Sequence, residues 1–187
     1  YVDNENIFYY LTGYNEVYSM PAMPEGAETG ILKGMYRLST VSDEPANGTA
    51  RPQLFGSGPL LPEVLRAQEI LSQQYNIESD IWSVTSYCQL RRDALSADRI
   101  NTLHPEQPKR RSYLEEMLEG VSGPFIAVTD YVKLVPDQIR QWIPGKYVTL
   151  GTDGFGRSDT RAALRRHFEV DAEHIAYATL QALSESS

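Results

Sequence analysis

The stretch Gly151-Thr152-Asp153-Gly154-Phe155-Gly156-Arg157-Ser158-Asp159 holds the densest set of residues able to do chemistry. Its three glycines admit backbone dihedrals that other residues avoid. Arg157 and Arg161 flank the predicted start of a helix, where free amides and partial positive charge favour an anion. Asp153 and Asp159 compete for the same groups. Two readings follow. Gly151, Asp153, Gly154, Phe155, Gly156, Arg157, Ser158, Asp159 and Arg161 form an anion-binding or interface loop, or the loop satisfies itself, with aspartate capping amides and pairing with arginine.

Other candidates carry less. Gly56-Ser57-Gly58 lies between a predicted strand and helix, where dinucleotide-binding folds place phosphate. Leu61 occupies the position of the third small residue, and Pro59 and Pro62 remove amides, so a tight turn is expected. His104, His167 and His174 show no metal-ligand spacing. Cys88 would need a neighbouring base to act as a nucleophile, and the sequence places none. Glu63, Glu69, Glu115, Glu116 and Glu119 read as solvated helix faces. Lys109-Arg110-Arg111 reads as a solvated helix start. No Ser-His-Asp order and no lysine-bearing phosphate loop is present, so no catalytic residue is assigned.

Positioning such loops calls for alternating strands and helices. Gln53-Leu54-Phe55, Ile81 to Thr85, Pro124 to Thr129 and Tyr147-Val148-Thr149-Leu150 are predicted strands. Between the first two, Leu61, Val64, Leu65 and Leu71 share one helical face, completing a βαβ unit that crosses right-handed. Further helices are expected at Tyr113 to Leu118, from Pro136 through Ile139, Trp142 and Ile143, after a Ser158 or Asp159 cap, and after Asp171. Ahead of these, Ile7 to Leu11 reads as a strand, Ala27, Ile31, Leu32 and Met35 as a short helical stripe, and Tyr36-Arg37-Leu38 as another strand. Ser42 to Arg51 is turn-rich. A three-layer α/β/α sandwich of four or five strands results.

Composition sets outer limits. The chain has 187 residues, 41% hydrophobic and 22% charged, ordinary for one buried domain with an arm. A net charge of −8 argues against general nucleic-acid binding. A lone cysteine excludes an internal disulfide and a multi-cysteine zinc site, and no apolar run approaches the roughly 20 residues of a membrane span. An opening Tyr1 without a signal-peptide pattern suggests a piece of a longer protein.

Several segments resemble one family. Met20-Pro21-Ala22-Met23-Pro24-Glu25-Gly26-Ala27 and Leu150 to Asp159 are similar to the homodimeric pyruvate dehydrogenase E1 subunits, within the transketolase-like, thiamine diphosphate-dependent group. So, in order, are Ser83-Val84-Thr85-Ser86, Leu103-His104-Pro105 and His167-Phe168-Glu169-Val170-Asp171. The resemblance implies a mostly parallel five-stranded sheet with one antiparallel strand. It assigns residues 1–19 to the end of the middle, pyrimidine-side domain, 20–49 to a connecting arm with first strand and loop, and 50–187 to a transketolase C-terminal-like domain. It implies a bacterial, cytoplasmic subunit that decarboxylates pyruvate and passes acetyl to lipoyl groups of E2. Thiamine diphosphate and Mg2+ are held by a GDG-asparagine motif of other domains. Thr152-Asp153-Gly154 lacks that pattern, so the resemblance gives this region no catalytic, cofactor-binding or metal residue. A structural and dimerisation role is expected, contacting the remaining domains and a second subunit, with E2 bound elsewhere and no nucleic acid or membrane partner. The alternative is a regulatory domain that binds a small anion.

Overall fold

The structure, a computed structural model, describes residues 2–8, 13, 17–40 and 51–185. After an extended, largely exposed arm come α1 (Glu28–Lys33), β1 (Met35–Ser39), β2 (Gln53–Gly56), α2 (Leu61–Tyr75), β3 (Asp80–Val84) and α3 (Tyr87–Leu103). Then follow α4 (Tyr113–Met117), β4 (Phe125–Val128), α5 (Leu134–Asp137), β5 (Tyr147–Leu150), α6 (Arg161–His167) and α7 (Ala172–Ser184). The five strands form one sheet in the order β1-β3-β2-β4-β5. β1 runs antiparallel to β3, and every other pairing is parallel.

Alternation along the strands divides the core in two. Leu54, Ile81, Ile126 and Val128 point to the face covered by α2 and α7. Phe55, Trp82, Phe125 and Ala127 point to the opposite face, with Tyr87 and Leu90 of α3, Leu114 of α4 and Ile139. Successive residues of a strand face opposite sides, so β2 and β4, covered on both, are apolar or buried at every position. Phe55 is the hinge of the aromatic side. Its ring meets Trp82 edge-on at 6.1 Å and Phe125 at 5.8 Å between centroids.

A buried polar seam closes the amino-terminal edge. Asp80 accepts hydrogen bonds from Thr40 Oγ1 at 2.8 Å, Arg51 at 3.1 Å and Gln53 Nε2 at 3.2 Å. Gln53 Oε1 in turn accepts from Trp82 Nε1 at 2.7 Å. The carboxylate is therefore compensated on several sides, as a buried charge requires.

Where the fold departs from the sequence reading, local physics gives the reason. Ile7 and Phe8 are exposed and not in a strand, since no described strand lies beside them; Tyr9 to Leu11 fall outside the described residues, as do residues 42–50 of the turn-rich segment. The longest helix, α3, was not anticipated. Its buried face uses Leu90 with the small Ala94 and Ala97, so its apolar stripe is faint. Only the Ser86 side chain, accepting from Gln89 N, announces its start. Pro136 is the third residue of α5 rather than its first, and the expected single helix splits into α5 and a 3-10 turn at Arg140–Trp142. Thr160, not Ser158 or Asp159, caps α6, accepting from Ala163 N.

Truncating Phe55 removes the ring shared by three aromatic neighbours. Phe55→Ala is expected to destabilise the chain by about 3–5 kcal/mol in urea unfolding, whereas Leu32→Ala, on the surface, should stay within about 0.5 kcal/mol.

Candidate functional site

The carboxyl ends of β2, β4 and β5 open on one edge of the sheet, and the loops that follow them gather there. From β2 the chain moves outward to β3 on one side, and from β4 to β5 on the other. The gap beyond β2 and β4 is thus a topological switch point, the position at which open α/β sheets hold ligands.

The loop after β2 is a tight turn, as expected. A Cβ on Gly56 would stand 2.8 Å from Leu61 Cδ1. The Ser57 amide and hydroxyl both donate to Val128 O, at 3.3 and 3.2 Å, which binds this turn to the end of β4.

The glycine-rich loop is stapled to the loop after β4. Thr152 N donates to Tyr131 O at 2.9 Å, Thr152 Oγ1 to Asp130 O at 2.8 Å, and Lys133 N to Asp153 Oδ1 at 2.8 Å. Gly151 permits this approach, because a Cβ there would lie 2.6 Å from Tyr131 O. Asp159 Oδ1 accepts from Thr160 N at 2.7 Å. Asp159 therefore caps the amide next to it, whereas Asp153 caps one in the loop after β4. Gly154, Phe155, Gly156, Arg157, Ser158, Asp159 and Arg161 remain exposed, and Phe155 is 93% accessible. Tyr131, Val132 and Leu134 on the loop after β4 are exposed as well, so both of the paired loops carry outward apolar side chains at their tip.

Beside that tip lies a cleft of about 250 Å³, lined by Leu60, Leu164 and Phe168 on one side and by Arg157, Arg161 and Arg165 on the other. Its geometry depends on Glu63. The side chain is 4% accessible, not solvated as the sequence suggested. Glu63 accepts from Arg165 at 2.8 Å, from Arg66 at 3.1 Å and from the Ala172 amide at 3.1 Å. One carboxylate joins α2, α6 and the first turn of α7. Arg165 also donates to Pro59 O at 3.3 Å, tying α6 to the turn after β2. The signal was present: Glu63, Ala67 and Leu71 recur every four residues, which puts Glu63 on the buried stripe.

The remaining candidates are dispersed. His104 Nδ1 lies 3.4 Å from Glu106, and exposed His167 packs edge-on against Phe168 at 4.9 Å. Cys88 is exposed, with Gln138 Nε2 at 3.8 Å from its sulfur. Arg110 pairs with Asp93 at 2.7 Å, and Arg111 with Glu119. Glu115 is not merely solvated, since it completes a capping box with Ser112 at the start of α4. Among the described residues no group of three or more His, Cys, Asp or Glu is placed to hold a metal ion.

Asp171 caps α7 as expected, accepting from His174 N at 3.0 Å with the imidazole Nδ1 at 2.6 Å. Burial pushes its pKa up, but the hydrogen bonds from His174, together with the charges of His174 and Arg166, outweigh burial and hold it below the usual carboxylate value. A depressed folded-state pKa stabilises the fold above the unfolded-state pKa, and that contribution is lost as pH falls through the folded value. The stability difference between the wild type and Asp171→Asn should therefore be greatest near neutral pH and shrink in acid, read from urea midpoints across pH. Glu63→Ala leaves Arg165 with no carboxylate in a half-buried site. It is expected to cost about 3–5 kcal/mol by chemical denaturation, well above the loss from Glu69→Ala on the exposed face of the same helix.

Comparison with known proteins places this geometry in a family. The transketolase-like TK C-terminal domain family matches residues 34–171. The pyruvate dehydrogenase E1 component of Pseudomonas aeruginosa is 52% identical over 184 residues, covering 98% of this chain and 20% of that protein. Those of Escherichia coli K12 and Mycobacterium tuberculosis are 48% and 44% identical over 181 residues each, covering 96% of this chain and 20% and 19% of theirs. The chain thus spans about one-fifth of the length of the curated relatives it matches. Among solved structures, transketolase from Campylobacter jejuni superposes with a TM-score of 0.53 at 18% identity, over 86% of this chain and 20% of that one. Transketolase from Pichia stipitis, in complex with a sedoheptulose phosphate, gives 0.53 at 18%, over 83% and 19%. At such identity these two speak for the fold alone. The mixed five-stranded sheet, the loops at its carboxyl edge and the sequence match agree: the chain belongs to the transketolase-like C-terminal domain family.

Proposed function

We propose that this chain is the C-terminal region of a bacterial, cytoplasmic pyruvate dehydrogenase E1 subunit and serves it as a bracing and dimerisation domain. Identity of 52% along nearly the whole chain carries the reading. In the complete subunit, thiamine diphosphate and Mg2+ supply the carbanion chemistry of pyruvate decarboxylation, on residues of other domains, and acetyl passes to the lipoyl groups of E2. This region then contributes no catalytic side chain, and E2 docks elsewhere. Residues 50–187 are its main body and residues 20–49 join it to the preceding domain, at whose end lie residues 1–19; β1, although within the joining segment, is a full member of the sheet.

What suits the chain to a bracing role is the apolar tip of the paired loops. Leu134 is 73% accessible and Phe155 93%, next to Tyr131 and Val132. Large apolar side chains held out on a hydrogen-bonded framework lose solvent contact at little conformational cost when a partner covers them. The partner in this reading is the rest of the E1 assembly, either the preceding domains or the second subunit.

Two measurements on the full-length subunit test the proposal. Deleting the residues after Ala50 is expected to abolish dimerisation and pyruvate turnover together. Leu134→Asp/Phe155→Asp, which alters exposed positions only, should raise the dimer dissociation constant roughly tenfold or more in sedimentation equilibrium while leaving unfolding of the domain unchanged. A deletion variant that stays dimeric and active would remove the bracing role.

A further inference from the structure

Helix α3 carries exposed charge of one sign on its outer face. Tyr87, Leu90, Ala94 and Ala97 are buried, and Arg92, Leu95, Arg99 and Leu103 recur on the far side at spacings of three and four. Such spacing lines side chains up along one helical stripe. Leu95 is 40% accessible and Leu103 55%. Arg91, beside the stripe, is exposed, as are Arg92 and Arg99.

The two acids of the helix are engaged elsewhere. Asp93 accepts from Arg110 and from the Tyr113 amide, each at 2.7 Å, and Asp98 accepts from Trp142 Nε1 at 3.0 Å. Arg92 reaches the neutral Gln89 Oε1 at 3.4 Å. Among the described residues Arg91, Arg92 and Arg99 enter no ion pair. Three exposed guanidinium groups around two exposed leucines thus make a local basic and apolar surface on a chain whose net charge is −8.

What covers this stripe must offer acids and apolar side chains at matching intervals. A second copy of α3 does not: turned either way, it sets arginine against arginine or leucine, and like charges repel. Nucleic acid would meet a chain that repels phosphate overall, and leucine offers bases no stacking face. A bilayer surface needs a broad apolar face, whereas α3 turns Tyr87, Leu90, Ala94 and Ala97 into the core. An acidic amphipathic helix meets each condition. Its carboxylates would lie over Arg92 and Arg99 and its aliphatic side chains over Leu95 and Leu103, as in a two-helix seam. The stripe from Arg92 to Leu103 is about 16 Å long at 1.5 Å per residue, a span that three to four turns of a partner helix cover.

We infer that the outer face of α3 docks an acidic amphipathic helix of another protein. This partner is additional to the E1 domains and the second subunit, and the inference does not depend on the bracing role. Guanidinium groups suit the task, since each can grip a carboxylate through paired hydrogen bonds while its stem lies along a neighbouring leucine. The ion pairs form at the surface, so the association is salt-sensitive and readily reversed.

Fluorescence anisotropy on the full-length subunit tests this with a labelled helical peptide of about four turns, bearing glutamates and leucines at the spacing of the stripe. The peptide should bind, and a scrambled peptide of the same composition should bind roughly tenfold more weakly or worse. Arg92→Gln/Arg99→Gln and, separately, Leu95→Ser/Leu103→Ser should each weaken binding roughly tenfold. Raising salt from about 0.05 to 0.5 M should weaken it as well. All four positions are exposed, and Arg99→Gln alone keeps the comparison available should a double variant be unstable. The inference is overturned if the peptide does not bind the full-length subunit, if the scrambled peptide binds equally, or if either double variant binds undiminished. Phosphatidylserine vesicles or single-stranded DNA held more tightly than the peptide would overturn it too, giving the face to a membrane or to nucleic acid.

Discussion

A carboxylate taken out of water inside an α/β sandwich costs several kcal/mol unless it is fully answered. Glu63 is answered from three directions, by two guanidinium groups and by the first amide of α7. The position of α6 follows from that arrangement. The helix is only seven residues long, has no fully buried residue of its own and is linked to the body through Arg165. Through Arg165, Glu63 sets α6 against the turn after β2 and holds the arginine-lined cleft between them in shape. The same pair reaches the arm, since the Arg165 guanidinium also lies 5.8 Å from the Tyr18 ring centre. A single buried charge on α2 thus governs elements from residue 18 to the start of α7.

The sheet was easy to read because its central strands are covered on both faces. Phe125-Ile126-Ala127-Val128 and its neighbours appear as short apolar runs between turn residues, and each was found within one or two positions. Helix α3 was hidden for the opposite reason. Its buried face mixes Tyr87 and Leu90 with the small Ala94 and Ala97, which leave no strong apolar stripe. Glu63 reads as solvated because a charged residue on a helix ordinarily is. Its spacing from Ala67 and Leu71 indicated the buried face, but which groups would compensate it depends on residues more than a hundred positions away. No local pattern conveys that. The glycine-rich loop stands out by its residues, whereas its pairing with the loop after β4 arises only when β4 and β5 lie side by side.

The carboxyl edge combines two kinds of surface. Hydrogen bonds between the two loops consume their polar backbone groups and leave Tyr131, Val132, Leu134 and Phe155 outward. Next to them the cleft gathers positive charge over an apolar wall. Because Asp130 and Thr152 belong both to the stapled loops and to the cleft lining, the two surfaces share a framework, and covering one changes the walls of the other.

At the opposite edge, Thr40 and Arg51 come together on the single carboxylate of Asp80. The strand that precedes them and the strand that follows are thus both tied to the start of β3, the strand that lies between them in the sheet. Chain closure over an already fixed gap grows only slowly with length, about 0.6 kcal/mol for each doubling. Related proteins can accordingly differ in length and composition between these two positions while keeping the same sheet, provided that the acid and its two partners are retained.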